Sequence, residues 1–271
     1  MTVPDSGAES GPESGPDSAP DDLTQNAFLG GLVRLWQPRR GYRAGADPVL
    51  LAAAVPARGG QSVLDLGCGA GAAVLCLAAR VPGLRLTGVD LQPFYADLAR
   101  RNAAENGTDL EVIQADLCRL PADLRQRRFD HVIANPPYFR PGAHTGAADA
   151  GRRAALGEAT ALRDWIAVAA RRLAPGGHLH MIQRADRLPD MLAGCAGRLG
   201  SLEVLPLASR AGRAPGLLIL RARKGGRAGF RLHAPLIVHP GVQHPGDMEH
   251  LTPEILAVQR HGAALPWPCA R

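Results

Sequence analysis

The stretch Ser62–Gly71, "SVLDLGCGAG", decides the fold. It opens as a short apolar run, Ser62–Gly67, broken only by Asp65. A run of that length bounded by glycines reads as a strand buried on both faces. Gly67, Gly69 and Gly71 then follow at alternate positions. Without a Cβ, such residues let the backbone turn tightly and come close to a ligand. Alone, the glycine pattern fits nucleotide binding and plain tight turns equally well.

Working outward, the spacing predicts strands and helices in alternation. Upstream, Asp47-Pro48 followed by "VLLAAAV" reads as a capped helix with proline at its first position. Downstream come helix Ala72–Val81, strand Leu84–Asp90, a helix from Pro93 to Gly107, strand Leu110–Asp116 and strand Phe129–Asn135. A helix "LRDWIAVAARRLAPGG", a strand "HLHMIQR" and a helix near Leu188–Leu199 follow. The strands "SLEVLPLAS" and "PGLLILRAR" are close enough to pair antiparallel. This order predicts an α/β, doubly wound, mostly parallel sheet with helices on both faces. "FRLHAPLIVH" is a candidate further strand, and "TPEILAVQRHG" a short terminal helix.

Composition narrows the class. The 271 residues are 46% hydrophobic, enough for a sizeable core. Net charge is +6, unevenly placed. Residues 1–22 hold six acids and no Lys or Arg, in a loose Glu-Ser-Gly-Pro repeat. Such a segment buries too little apolar surface to offset its ordering entropy, so a disordered acidic tail is expected. Taking those six from the 25 acids leaves 19 against 31 basic residues, a surplus of twelve in the body. That favours a polyanionic partner, nucleic acid before membrane, although an Arg-rich surface with one lysine, Lys224, also fits plain solvation. The five cysteines show no CxxC pair and no histidines at metal spacing, so no metal is expected and a reducing, cytoplasmic setting is. No apolar segment approaches a signal h-region or a membrane span. The histidines have no visible partners and read as surface or packing residues. A monomer is expected.

Ligands of such sheets bind beyond the carboxyl ends of the strands. The strand after the glycines ends in Asp90, followed by Leu91, and a carboxylate there can accept both hydroxyls of a ribose. The next ends at Asp116, with Leu117 beside it, suited to an adenine amine and ring. Each acid singly is also a candidate cap or turn residue. Three consecutive strand ends offering such groups are harder to assign to turns.

The fourth strand ends in Asn135-Pro136-Pro137-Tyr138. Prolines supply carbonyls without N–H donors, and Asn135 adds a side-chain oxygen. Tyr138 and Phe139 offer flat faces for a base. Two acceptors and a platform suit a planar NH2 group, adenine N6 or a glutamine amide. Accepting from both N–H groups raises lone-pair density on an otherwise poor nucleophile. Proximity and electrostatic stabilisation complete that chemistry.

The acid two residues before the first glycine, in "LDLGCGAG", resembles the first motif of class I S-adenosylmethionine (AdoMet) methyltransferases. The Asn-Pro-Pro-Tyr ending resembles the NPPY-type amino-methyltransferases. The region "GYRAGADPVLLAAAVPARGGQSVLDLGCGAGAA" is similar to the bacterial tRNA (adenine-N6) enzymes that modify the adenine next to the anticodon of valine tRNA. The resemblance implies a Rossmann-like seven-stranded sheet with an antiparallel final strand. It implies an AdoMet core over about 41–224 within a domain of 23–271, and a C-terminal extension over 225–271. It also implies AdoMet contacts by Asp65, Gly67, Gly69, Gly71, Asp90, Leu91, Asp116, Leu117 and Asn135, with Asn135 to Tyr138 at the target amine. That family opens the preceding helix with a Thr-Asp or similar pair near the methionine end of AdoMet, which implies a cofactor contact by Asp47. Here Ala46-Asp47 keeps the acid without the threonine. Arg39, Arg40 and Arg43, with Phe139 and Arg140, are the expected RNA contacts, and Arg221–Arg231 is a second basic stretch that reads first as a turn. Glutamine methyltransferases of release factors share the Asn-Pro-Pro-Tyr chemistry but carry a sizeable helical N-terminal domain. Only about twenty-five residues separate the tail from Asp47, short for a domain. A non-catalytic AdoMet-fold RNA-binding protein is the other alternative, and it has no need of the full set of glycines, acids and Asn135.

Overall fold

The computed structural model describes residues 22–138, 160–241, 250–265 and 267. The expected disordered tail therefore lies outside the described residues except for Asp22.

The chain opens with strands β1 (Leu23–Phe28) and β2 (Val33–Pro38), an antiparallel pair forming its own small sheet. The alternating elements then follow. They are α1 (Asp47–Ala54), β3 (Ser62–Leu66), α2 (Ala72–Arg80), β4 (Arg85–Asp90), α3 (Pro93–Glu105), β5 (Leu110–Gln114), α4 (Ala122–Gln126) and β6 (Phe129–Ala134). After the segment outside the described residues come α5 (Leu162–Arg172), β7 (Leu173–Arg184), α6 (Leu188–Cys195), β8 (Gly200–Ala208) and β9 (Leu217–Arg223). Two-residue strands β10 (Arg231–Leu232) and β11 (Leu236–Ile237) and helix α7 (Pro253–His261) finish the chain.

Seven strands form the body of the main sheet in the order β8-β9-β7-β6-β3-β4-β5. β3 to β7 run parallel, and β9 inserts antiparallel between β7 and β8. β10 and β11 both pair with β8, which extends the sheet to nine strands. Chain order reverses between β3 and β6, so the crevice for a ligand opens beyond their carboxyl ends.

The strands are apolar on both faces because helices cover both. Val63, Ile133, Ile182 and Ile219 pack with α1, α2 and α7. Leu64, Val132, Met181 and Leu218 pack with α5 and α6 on the other side. Their alternation along each strand is the two-residue period of β structure.

The N-terminal hairpin has no counterpart in the sequence reading. Its turn is Leu29-Gly30-Gly31, and a Cβ on Gly30 would lie 2.5 Å from the Arg260 carbonyl oxygen of α7. Its β2 edge is met by side chains instead of a strand. Asn102 accepts from the Trp36 N–H at 2.8 Å and donates to the Trp36 carbonyl, and Asn106 does the same for Arg34 at 2.9 Å and 2.7 Å. Two asparagines four residues apart, Asn102 in α3 and Asn106 at its C-cap, thus imitate a neighbouring strand.

Several boundaries also shift. α5 stops at Arg172 because Leu173 already pairs with Phe129, with an irregular register before His131 resumes pairing with His178. α6 ends at Cys195, where Leu199 had been expected. Cys68, Cys76 and Cys195 are buried, but Cys118 is exposed, since it sits in a single 3-10 turn, Leu117–Arg119, with no buried residue.

Candidate active site

A cavity of about 670 Å³ lies at the carboxyl ends of β3, β4 and β6. Its wall includes Asp47, Gly67, Gly69, Asp90, Leu91, Asp116, Leu117 and Asn135 to Tyr138. Those residues come from five separate stretches of chain, four of which meet there because the parallel strands all end on one side. Tyr42 and Tyr95 join Tyr138 on the wall, so all three tyrosines of the chain face one space.

The glycine loop is held from both sides. Gly67 has φ +65°, and a Cβ there would sit 2.5 Å from the ring of Trp165 on α5. The Gly69 N–H donates to Asp90 Oδ2 at 2.8 Å, and the Gln92 N–H donates to Asp90 Oδ1 at 2.9 Å. These bonds aim the Asp90 carboxylate, leaving a lone pair on each oxygen for a ligand. Burial raises the Asp90 carboxyl above its ordinary pKa, opposed by those backbone donors.

Asp65 and Gly71 are not on the wall. The Asp65 side chain, 2% exposed, points beneath the loop and accepts from the Val74 N–H in the first turn of α2. Burial and the charge of Asp90 push it well above the carboxylate range. Its Oδ2 is buried with no partner among the described residues. A strand covered on both faces leaves a carboxylate no other place to go.

Asp47 does not cap α1. Ala46 is the N-cap position, with no side-chain capping bond, and the Asp47 carboxylate instead accepts from the Tyr138 hydroxyl at 2.5 Å. Burial and that bond raise the Tyr138 pKa, so the phenol stays protonated. Asp116 does cap, accepting from the Cys118 N–H at 2.8 Å, while its neighbour Leu117 faces the cavity.

Asn135 emerges from β6 onto the cavity wall, with Nδ2 3.3 Å from the Tyr42 hydroxyl. The Pro136 and Pro137 carbonyls had been expected to be open acceptors. Both accept from Gln183 Nε2 on β7, at 3.2 and 3.4 Å. Each keeps one further lone pair. Gln183 is fully buried, and its signal in the sequence was a lone amide directly after the apolar Met181-Ile182 in "HMIQR".

Of the expected RNA contacts, Phe139 and Arg140 lie outside the described residues. Arg39 and Arg40 are exposed in the segment that leads to the wall. Arg43 lines the cavity, yet its guanidinium donates to Thr24 Oγ1, the Pro38 carbonyl and Asn26 Oδ1 at 2.7–2.8 Å. It therefore also ties the hairpin to the wall. In the second basic stretch, Arg221 pairs with Glu203 at 2.8 Å and Arg223 bonds the Gly176 carbonyl, so both serve the fold. Among the described residues, no group of three or more His, Cys, Asp or Glu is placed to hold a metal ion, and no helix is long and apolar enough to cross a membrane.

Residues 46–199 match the methyltransferase small domain model, more than half of the chain. The chain belongs to the methyltransferase small domain family. The methyltransferase is 34% identical over 214 residues to a tRNA1(Val) (adenine(37)-N6)-methyltransferase of Porphyromonas gingivalis, covering 73% of this chain and 82% of the relative. A Dickeya chrysanthemi protein of the same name is 32% identical, over 70% and 76% of the two chains. Among solved structures, an Agrobacterium tumefaciens protein described as a predicted O-methyltransferase superposes with a TM-score of 0.65 at 30% identity, over 80% of this chain and 97% of that one. A Thermus thermophilus 16S rRNA N2 G1207 methyltransferase in complex with AdoMet and guanosine shares the fold, with a TM-score of 0.53 at 20% identity over 74% of this chain and 50% of that one. The methyltransferase uses AdoMet. The site fits that group: a wall bearing Asp47, Asp90 and Asp116 suits a cationic ligand.

Proposed function

We propose that this methyltransferase methylates the exocyclic N6 of adenine in RNA, most specifically tRNA beside the anticodon. The observation that carries the reading is the Asn135 carboxamide, set on the cavity wall at the switch point between β3 and β6. The names and coverage of the Porphyromonas and Dickeya relatives support the choice of tRNA. When bound, AdoMet supplies an electrophilic methyl on a positively charged sulfur.

In this reading, Asp90 accepts from ribose hydroxyls, and Asp116 with Leu117 holds the adenine of the cofactor. Gly67 and Gly69 let the backbone approach the methionine end, and Asp65 braces the loop from below. Asn135 Oδ1 accepts one N–H of the target amine, and the second lone pair of the Pro136 carbonyl accepts the other. Both acceptors are preorganised, Asn135 by Tyr42 and Pro136 by Gln183, so little reorganisation is needed as charge develops. The Tyr138 ring, tied by its hydroxyl to Asp47, walls the base pocket. Arg39 and Arg40 meet phosphates at the mouth. A hydroxyl acceptor, as the Agrobacterium neighbour's description would imply, needs a base to take its proton. A carboxamide is not one, which favours an amine.

The experiment is tritium transfer from labelled AdoMet into total RNA from a strain lacking the gene, followed by nucleoside analysis. Label in N6-methyladenosine of the tRNA fraction is the expected result. Label in a release-factor-sized protein would move the same chemistry to a glutamine amide.

A further inference from the structure

Tyr42 belongs neither to the glycine loop nor to the Asn-Pro-Pro-Tyr turn, yet it bridges them. It lies in the connector between β2 and α1 and is 52% exposed. Its hydroxyl stands 3.3 Å from Asn135 Nδ2, at the long end for an N–H···O bond. A Cβ on Gly69 would be 3.7 Å from its ring. Tyr95 of α3 pins it in two ways. The Tyr95 hydroxyl donates to the Tyr42 carbonyl at 3.1 Å, and the two rings meet edge-on with centroids 6.5 Å apart. An exposed side chain held this firmly is placed for what its hydroxyl does.

We propose that Tyr42 is a positioning residue that sets which end of the Asn135 carboxamide is offered to the acceptor amine. This rests on the reading of Asn135 given above. The two ends of a carboxamide are nearly alike in shape and opposite in hydrogen-bonding sense, so only a fixed partner distinguishes them. Turned one way, Oδ1 accepts from the target NH2. Turned the other, Nδ2 meets that NH2 donor to donor, and the nitrogen lone pair gains nothing. With Nδ2 donating to the phenol oxygen, Oδ1 is the end left to accept.

The phenol serves as that acceptor with its lone pairs toward Asn135 and its own proton turned elsewhere, since a hydroxyl turned round would donate to Oδ1 instead. Although the residue is half exposed, its phenol is withdrawn from water, and this together with Asp47 pushes the Tyr42 pKa up to about 12, so the proton stays on. Asp47, whose charge reaches the phenol, favours a proton turned toward the acid, and that leaves a lone pair for Asn135 Nδ2.

Tyr42→Phe removes the hydroxyl and keeps the ring. The expected result is a fall of about tenfold in kcat, the cost of losing one orienting hydrogen bond, with the KM for tRNA and the Kd for AdoMet unchanged within about twofold. In an Asn135→Asp background the two carboxylate oxygens are equivalent and there is no wrong end. Tyr42→Phe should then change kcat less than about twofold. Equal losses in both backgrounds, an unchanged kcat in the Asn135 enzyme, or a loss carried by AdoMet affinity would overturn the proposal. A readout that needs no acceptor is the pair of 15N–1H signals of the Asn135 carboxamide, assigned by their absence in Asn135→Asp. They should shift and exchange faster in Tyr42→Phe, and unaltered signals would overturn the proposal even if Asn135→Asp is too slow to assay. A wild-type enzyme that methylates no RNA would refute the RNA reading, while these signals would still decide the role of Tyr42.

Discussion

His131 lies early in β6, and Asn135 directly follows that strand, four residues and about 13 Å further along. The neighbouring β7 repeats the pairing, with His178 and His180 near its middle and Gln183 near its end. Both regions hold buried polar groups, and both shift ionisation. At the histidine end, His131 Nδ1 meets His180 Nε2 at 3.3 Å, and His131 Nε2 meets Gln61 Oε1 at 3.2 Å. His178 stacks on His131 with ring centroids 6.1 Å apart. Burial, aided by His178, pushes the His131 pKa down to about 4, and His180 lies well below its ordinary value for the same reason. At the Asn135 end the backbone leaves the sheet, a cavity opens, and carboxylates are raised instead. A perturbed pKa therefore does not by itself separate a working site from a packed network. Open space beside oriented groups does.

The largest expected effect tests the Asn135 end. Asn135→Ala should lower methyl transfer about 1000-fold, as loss of one preorganised group can. AdoMet affinity by calorimetry should stay within about threefold of wild type. A parallel loss of cofactor affinity would make Asn135 a packing residue and erase the contrast with His131.

Next comes Gly67→Ala, which meets both a left-handed backbone and the Trp165 ring. It should cost about 3 kcal/mol in denaturant unfolding. Gln183→Leu sharpens the boundary between the two regions. Without its amide, the Pro136 and Pro137 carbonyls lose the donor that aims them, and kcat should fall about tenfold at unchanged AdoMet Kd. A variant that loses stability alone would group Gln183 with the histidines.

The smallest effect is expected at the other end. Histidines held below their ordinary pKa bind protons more readily when unfolded. The stability they support is complete above about pH 6.5 and is lost as pH falls toward 4. His180→Leu should flatten that acid dependence of the melting temperature and leave methyl transfer at pH 7.5 unchanged. A change in kcat would join the two ends into one system.

Much of the fold was legible because a buried parallel strand has an unmistakable form: an apolar run closed by glycine or an acid. β3 and β4 show it, β6 shows it with Asn135 in place of the acid, and their chain order dictates which ends converge. The hairpin β1–β2 was missed because its pattern is weak and its outer edge is completed by Asn102 and Asn106, some seventy residues away. The histidines, read as surface or packing residues, showed no partners because His131 and His180 are separated by forty-nine positions, and only the parallel register brings them together.

The sequence by itself determined the sheet, the glycine loop, the acids at the strand ends and the Asn-Pro-Pro-Tyr turn, since each is local and period or spacing is enough to reveal it. Only the tertiary structure decided what those groups do to one another. It turned Asp47 from a helix cap into the partner of Tyr138, drew Asp65 under the loop, gave the proline carbonyls to Gln183 and set Tyr42 against Asn135. Those are hydrogen bonds between residues dozens of positions apart. Their direction depends on which side chains the folded strands bring within about 3 Å, a distance that no local pattern encodes.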